Sequence, residues 1–137
     1  MGVLARLMSV VAEMTSKLDW LAEHGLKSWV DELATLHALQ IQAQALLDMV
    51  VRIAAELGYA PITPREAAEA LVAERLLLEK DYQLIRRVSG FRNIIVHEYT
   101  TVDMDLVRGI LERREYRRIA ILAAKLLEEA SRRGIDP

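Results

Sequence analysis

Arg92, Asn93, His97 and Tyr99 fall within one short stretch of a chain that has three histidines and no cysteine. Arg92 carries a fixed charge that suits a phosphoryl oxygen, and Asn93 can hydrogen-bond a phosphate or a sugar hydroxyl. His97 is the side chain type that both takes and gives a proton near neutral pH. Together they are enough for phosphodiester chemistry. His97 can serve as base or acid, Arg92 can hold the phosphoryl oxygens, and Asn93 can orient the phosphate or the attacking hydroxyl. One copy of the segment supplies one histidine, and a second subunit laid against the helix would bring a second copy to fill the other proton-transfer role. No metal is required by this set.

These residues must be positioned by helices. The chain is 53% hydrophobic but only 5% aromatic, so its core draws on Leu, Ala, Val, Ile and Met, which favour helix. Leu4, Leu7, Met8, Val11, Met14, Leu18 and Leu21 recur at three- and four-residue steps, which predicts a first helix over 4–24, with Gly25 behind it. A second helix is expected from Ser28 or Asp31 to Leu57, stopped by Gly58. Thr63, Pro64 and Glu66 form a helix-start signal, with cap, first-turn proline and capping-box acid, for a short helix ending near Glu74. A fourth helix is expected from about Glu79 to Glu98. Asp103 can cap a last one, over about 104–133, with a bend at Arg113–Arg118. With no strand-like alternation and no linker, residues 1–137 read as a single all-α domain, a compact bundle of four or five helices.

At about 100° per residue, Leu84, Val88, Phe91 and Ile95 share one face of the fourth helix. Arg86, Gly90, Asn93 and His97 share the opposite one. Glycine inside a helix costs about 1 kcal/mol relative to alanine, and a use for it is close approach of another backbone. Tyr99 in a continuing helix would lie about 160° from His97. A break at Tyr99–Thr100–Thr101, which are poor helix formers together, is therefore needed to bring its phenol near the site.

Composition narrows the class of protein. Net charge is −2 and the sequence pI is about 5.9, so no broad basic surface for nucleic acid is present, and any RNA contact must be local or assembled from two subunits. The absence of cysteine excludes disulfides and thiolate metal sites and fits a reducing cytoplasm. No stretch approaches a membrane span, and the histidines lack carboxylates at ligand spacing, so neither metal nor cofactor is expected.

Other polar groups have structural or functional readings. On the second helix His37, Gln40, Gln44, Asp48 and Arg52 form a stripe that is either an ordinary polar flank, with an Asp48–Arg52 pair, or the lining of a cleft that orients Arg92. Arg113, Arg114, Arg117 and Arg118 form either an RNA track or a solvated, salt-bridged face shared with Glu112 and Glu115. Trp20 and Trp29 are expected as core or interface anchors.

The segment Gly90-Phe91-Arg92-Asn93-Ile94-Ile95-Val96-His97-Glu98-Tyr99 resembles the signature of HEPN domains, closely that of HepT-type toxins: arginine, a polar residue, three more, histidine, any residue, tyrosine. Residues 38–48 are similar to that family's second helix, with Gln44 where an acidic residue would stand. The resemblance implies a HEPN-type bundle that dimerises through the motif helix. It also implies a metal-independent endoribonuclease toxin of a type VII toxin–antitoxin pair. Arg92, Asn93 and His97 would be the catalytic set, with Asp48 and Gln44 as cleft support. The implied partner is a minimal nucleotidyltransferase antitoxin that transfers AMP from ATP to Tyr99. The alternative is a non-catalytic HEPN subunit that binds nucleotide or substrate for that nucleotidyltransferase.

Overall fold

The computed structural model describes residues 2–61, 63–98 and 101–135. Among them the chain is all-helical: α1 (Val3–His24), α2 (Trp29–Glu56), α3 (Pro64–Ala73), α4 (Glu79–His97), α5 (Met104–Glu112) and α6 (Arg117–Arg132). The glycines at 25, 58 and 134 follow helix ends with φ of 85°, 93° and 67°, conformations that a Cβ disfavours. Thr63 Oγ1 accepts from the Glu66 amide at 3.1 Å and caps α3. Asp103 Oδ1 accepts from the Asp105 amide at 2.9 Å and caps α5. Caps of this kind are worth about 1 kcal/mol each.

The long α2 is the spine, packing against each of the other five helices. One apolar cluster joins α1, α2, α3, α4 and α6 through Leu4, Leu46, Leu71, Ile85 and Leu126. A second lies toward the α1–α2 turn, where Met14, Leu18, Leu39, Ile95 and Leu111 meet. Ile95 thus anchors the last turn of α4 into the core, and truncating such a residue to alanine costs about 2–5 kcal/mol. At the other end of α4, Asp81 accepts from the Leu78 amide at 3.1 Å and from Lys125 Nζ of α6 at 2.6 Å. Both ends of α4 are therefore pinned, which fixes the helix that carries the candidate residues.

Two expectations change. The bend foreseen at Arg113–Arg118 is a full break, so the bundle has six helices in its described residues rather than four or five. Arg114 sits at φ 53°, unusual for a side chain with a Cβ. The turn is held from outside: Asp19 Oδ1 of α1 accepts from Arg117 Nε at 2.9 Å, from Arg114 Nη1 at 3.3 Å and from the Tyr116 hydroxyl. Trp20 and Trp29 are 59% and 70% exposed, so neither is a core anchor. Trp20 instead stacks on the His24 ring at 4.5 Å.

Candidate active site

α4 delivers Asn93 and His97 to the surface and Arg92 to the α2–α4 seam. Val88 and Ile95 are buried and Phe91 is half-buried, while Gly90, Asn93 and His97 are exposed on the other side. The expected polar column is therefore present and faces away from the core. A Cβ at Gly90 would meet nothing within 4 Å among the described residues, and the glycine is exposed.

Arg92 is held by α2. Its Nη1 donates to Gln44 Oε1 at 2.8 Å, and Gln44 Nε2 donates to Asp48 Oδ1 at 2.7 Å. Asp48 can only accept and Arg92 can only donate, so the amide between them has one workable orientation. Arg92 Nε is buried without an acceptor among the described residues, and no carboxylate there pairs with the guanidinium. Its charge is steered by a neutral amide rather than neutralised by an acid. Arg52 is found on Glu56, at 3.1 Å.

Ile95 shares an apolar cluster with Ala38 and Leu39 of α2, whereas Arg92 reaches Gln44, so α4 runs antiparallel to α2. His37 is exposed and stands on the same α2 face as Gln44, displaced toward the His97 end. α4 stops at His97. The Glu98 carbonyl accepts from both the amide and the hydroxyl of Thr101, each at 2.9 Å. Tyr99 and Thr100, where the modification site and the helix break were expected, lie outside the described residues.

The basic run 113–118 is mostly engaged. Arg114 and Arg117 are on Asp19, Arg114 also approaches Glu23 at 3.8 Å, and Arg113 donates to Glu115 at 3.1 Å. The salt-bridged reading of that face holds for these three. Arg118 has no ionic partner among the described residues, and the same is true of Arg86 and Arg87 on α4, two arginines that the sequence pattern did not bring forward as a pair. Their signal would have been the lack of an acid at i±4 on α4 for Arg87. No helix in the described residues is long and apolar enough to cross a membrane.

The chain is 25% identical over 121 residues to a protein of Archaeoglobus fulgidus named "Putative RNase", covering 82% of this chain and 92% of that one. Its fold is similar to a chain in a crystal structure described as the toxin–antitoxin with AMP-PNP, with a TM-score of 0.76 at 14% identity, covering 88% of this chain and 97% of that one. A family model described as Ribonuclease HepT-like matches residues 4–126. With nearly the whole chain matched and an all-helical fold in accord, the protein belongs to the HepT-like ribonuclease family.

Proposed function

We propose that the chain is the ribonuclease toxin of a toxin–antitoxin pair, a metal-independent endoribonuclease that works as a two-fold dimer. Arg92, Asn93 and His97 are its catalytic residues, and AMP transfer onto Tyr99 silences it. The observation that carries this reading is the column of Gly90, Asn93 and His97, exposed on α4, with Arg92 beside it tethered to Gln44. Family membership supports the ribonuclease class. The similarity of fold to a chain from a toxin–antitoxin bearing AMP-PNP, an ATP analogue, supports a nucleotide-using partner.

In this reading Arg92 gathers the non-bridging oxygens of the scissile phosphate, where charge grows as the 2′-oxygen attacks. Asn93 orients the phosphate or the hydroxyl. His97 and the same residue of the second subunit share the two proton transfers. The exposed column is what such a dimer would bury at its two-fold axis. Silencing follows from attack of the Tyr99 phenol oxygen on the α-phosphorus of ATP, with pyrophosphate leaving and the phenol proton lost to solvent. The phosphodiester so formed places a negative charge where an RNA phosphate would bind.

The test is mutational. Arg92→Ala and His97→Ala are each expected to abolish RNA cleavage while leaving thermal stability and the dimer intact. Light scattering that gives an active monomer at micromolar concentration would remove the composite site, and full activity in either variant would remove the catalytic assignment.

A further inference from the structure

The side of α4 that faces α6 borders a cleft that the Arg92–His97 column does not use. Its floor is apolar, with Leu39, Val88, Phe91, Ile110 and Ile119 among its lining, and it encloses about 480 Å³. Cavities of about 300–1,000 Å³ hold small organic ligands. Arg87 and Arg118 line this cleft, and both also line an adjoining groove of about 360 Å³ that reaches Lys80. All three cations are exposed and lack an ionic partner among the described residues. The neighbouring Arg113, Arg114 and Arg117 are by contrast committed to carboxylates. Among the described residues the carboxylate on the cleft, Glu115, is engaged by Arg113, and Asp81 in the adjoining groove is engaged by Lys125.

An apolar floor beneath two uncommitted guanidiniums complements a ligand with a flat apolar part and an anionic part. A nucleotide of a single strand has this form: its base buries against apolar and aromatic side chains while its phosphate meets arginine. The cleft also borders the helix that carries the candidate site. Arg87 precedes His97 by ten residues, about 15 Å along α4. Between them lies Gly90, whose surroundings are open among the described residues, and Arg86 adjoins Arg87 on the column side. A strand with its scissile phosphate at Arg92 and His97 can cross the bare backbone at Gly90, pass Arg86 and reach Arg87 and Arg118.

We infer that this cleft is an RNA subsite, which takes the base of a nucleotide flanking the cleavage position while Arg87 and Arg118 hold its phosphates. The location of the scissile phosphate rests on the ribonuclease reading; binding in the cleft can be measured without it. A chain of net charge −2 thereby obtains a local cationic grip.

The experiment is anisotropy with a labelled, fully 2′-O-methylated single-stranded oligonucleotide, which has no attacking hydroxyl, across a salt series. Arg87→Ala combined with Arg118→Ala is expected to weaken binding about tenfold or more at ~0.1 M salt. It should also flatten the log–log salt slope by about 1.4, the loss of two phosphate contacts on a single strand. Leu106→Trp, at the exposed edge of the cleft, is expected to weaken binding as well. Arg6→Ala on α1 should change neither quantity. Unchanged affinity and slope in the double variant would overturn the subsite. So would normal RNA binding with loss of binding to the antitoxin, which would make the cleft a protein-docking surface. The two readings fail separately. Wild-type protein that binds through Arg87 and Arg118 but leaves the unmodified oligonucleotide uncut keeps the subsite and removes the ribonuclease. A double variant that binds and cuts as wild type does the reverse.

Discussion

Gln44 stands between two charged groups, taking a hydrogen bond from Arg92 at 2.8 Å through Oε1 and giving one to Asp48 at 2.7 Å through Nε2. The arginine of α4 is thus positioned by α2 across 48 residues of chain, yet among the described residues no acid cancels its charge. An acidic residue at this position would hold the guanidinium equally well but would lower the positive potential available to a phosphate. The amide holds the same geometry and leaves that potential in place.

The tether can be cut without touching the catalytic set. Gln44→Ala is expected to lower kcat/KM for RNA about tenfold, close to 1.4 kcal/mol, by freeing the Arg92 side chain. Gln44→Glu keeps the acceptor for Arg92 but sets a second carboxylate against Asp48 and lowers the local positive potential, so it should lose activity too, though less than Gln44→Ala. Steady-state kinetics on one RNA substrate distinguish the pair. Equal activity in wild type and Gln44→Ala would mean that Arg92 needs no support from α2.

Gly90 offers a separation of stability from activity. A Cβ there meets nothing within 4 Å among the described residues, so Gly90→Ala should raise stability by about 1 kcal/mol. If another backbone, protein or RNA, passes close over Gly90, the same variant should lose cleavage or dimerisation. Thermal melts and cleavage rates measured together check this, and a stabilised variant with undiminished cleavage would exclude close approach at that point.

The Asp19 latch makes stability depend on pH at both extremes. Burial pushes the Asp19 carboxyl up, but the bonds from Arg117 and Tyr116 and the Arg117 and Arg114 charges outweigh it and hold the group below its ordinary 3.8. A depressed carboxylate stabilises above its unfolded-state value, and that contribution is lost as pH falls through the folded one. Tyr116 is pushed up to about 12, first by burial and then by the Asp19 bond and charge. Its contribution is complete below the ordinary 10.0 and is lost as pH rises through 12. Asp19→Asn is expected to cost about 1–3 kcal/mol at neutral pH and to flatten the acid limb. Tyr116→Phe should flatten the limb between pH 10 and 12. Denaturant melts across the pH range measure both, and unaltered limbs would show that the latch is not where the charge is held.

Co-expression with a minimal nucleotidyltransferase partner tests silencing. Intact-mass and peptide measurements are expected to find one or more AMP masses on Tyr99, with RNA cleavage lost. Silencing of Tyr99→Phe as complete as that of wild type would mean that the partner inhibits by binding alone.

Much of this arrangement was legible in the sequence because its causes are local. Gly25, Gly58 and Gly134 mark helix ends by a conformation that other residues avoid, and Thr63 and Asp103 mark starts by the bonds their side chains make. The opposition of Val88 and Ile95 to Asn93 and His97 follows from helical period alone. What escaped depends on partners distant in the chain. Arg114 breaks the last helix in a left-handed conformation although it is not glycine, and the partner that holds it, Asp19, is 95 residues away. The same holds for the arginines of the turn: 114 and 117 find Asp19 while 118 finds no acid among the described residues, and charge pattern along one helix cannot reveal this. The exposure of Trp20 and Trp29 is of that kind too, since both large rings sit at the α1–α2 end outside the packed clusters.

The ribonuclease reading is tested most directly by the ends of the cut RNA. Purified chain is incubated with a single-stranded RNA in excess EDTA, beside His97→Ala, and the products are examined by end-group analysis and mass spectrometry. Attack by the 2′-hydroxyl with proton transfer by His97 should leave 2′,3′-cyclic phosphate, or its 3′-phosphate product, opposite 5′-hydroxyl ends, with no cleavage by the variant. Cleavage that requires magnesium, leaves 5′-phosphates or persists in His97→Ala would contradict it.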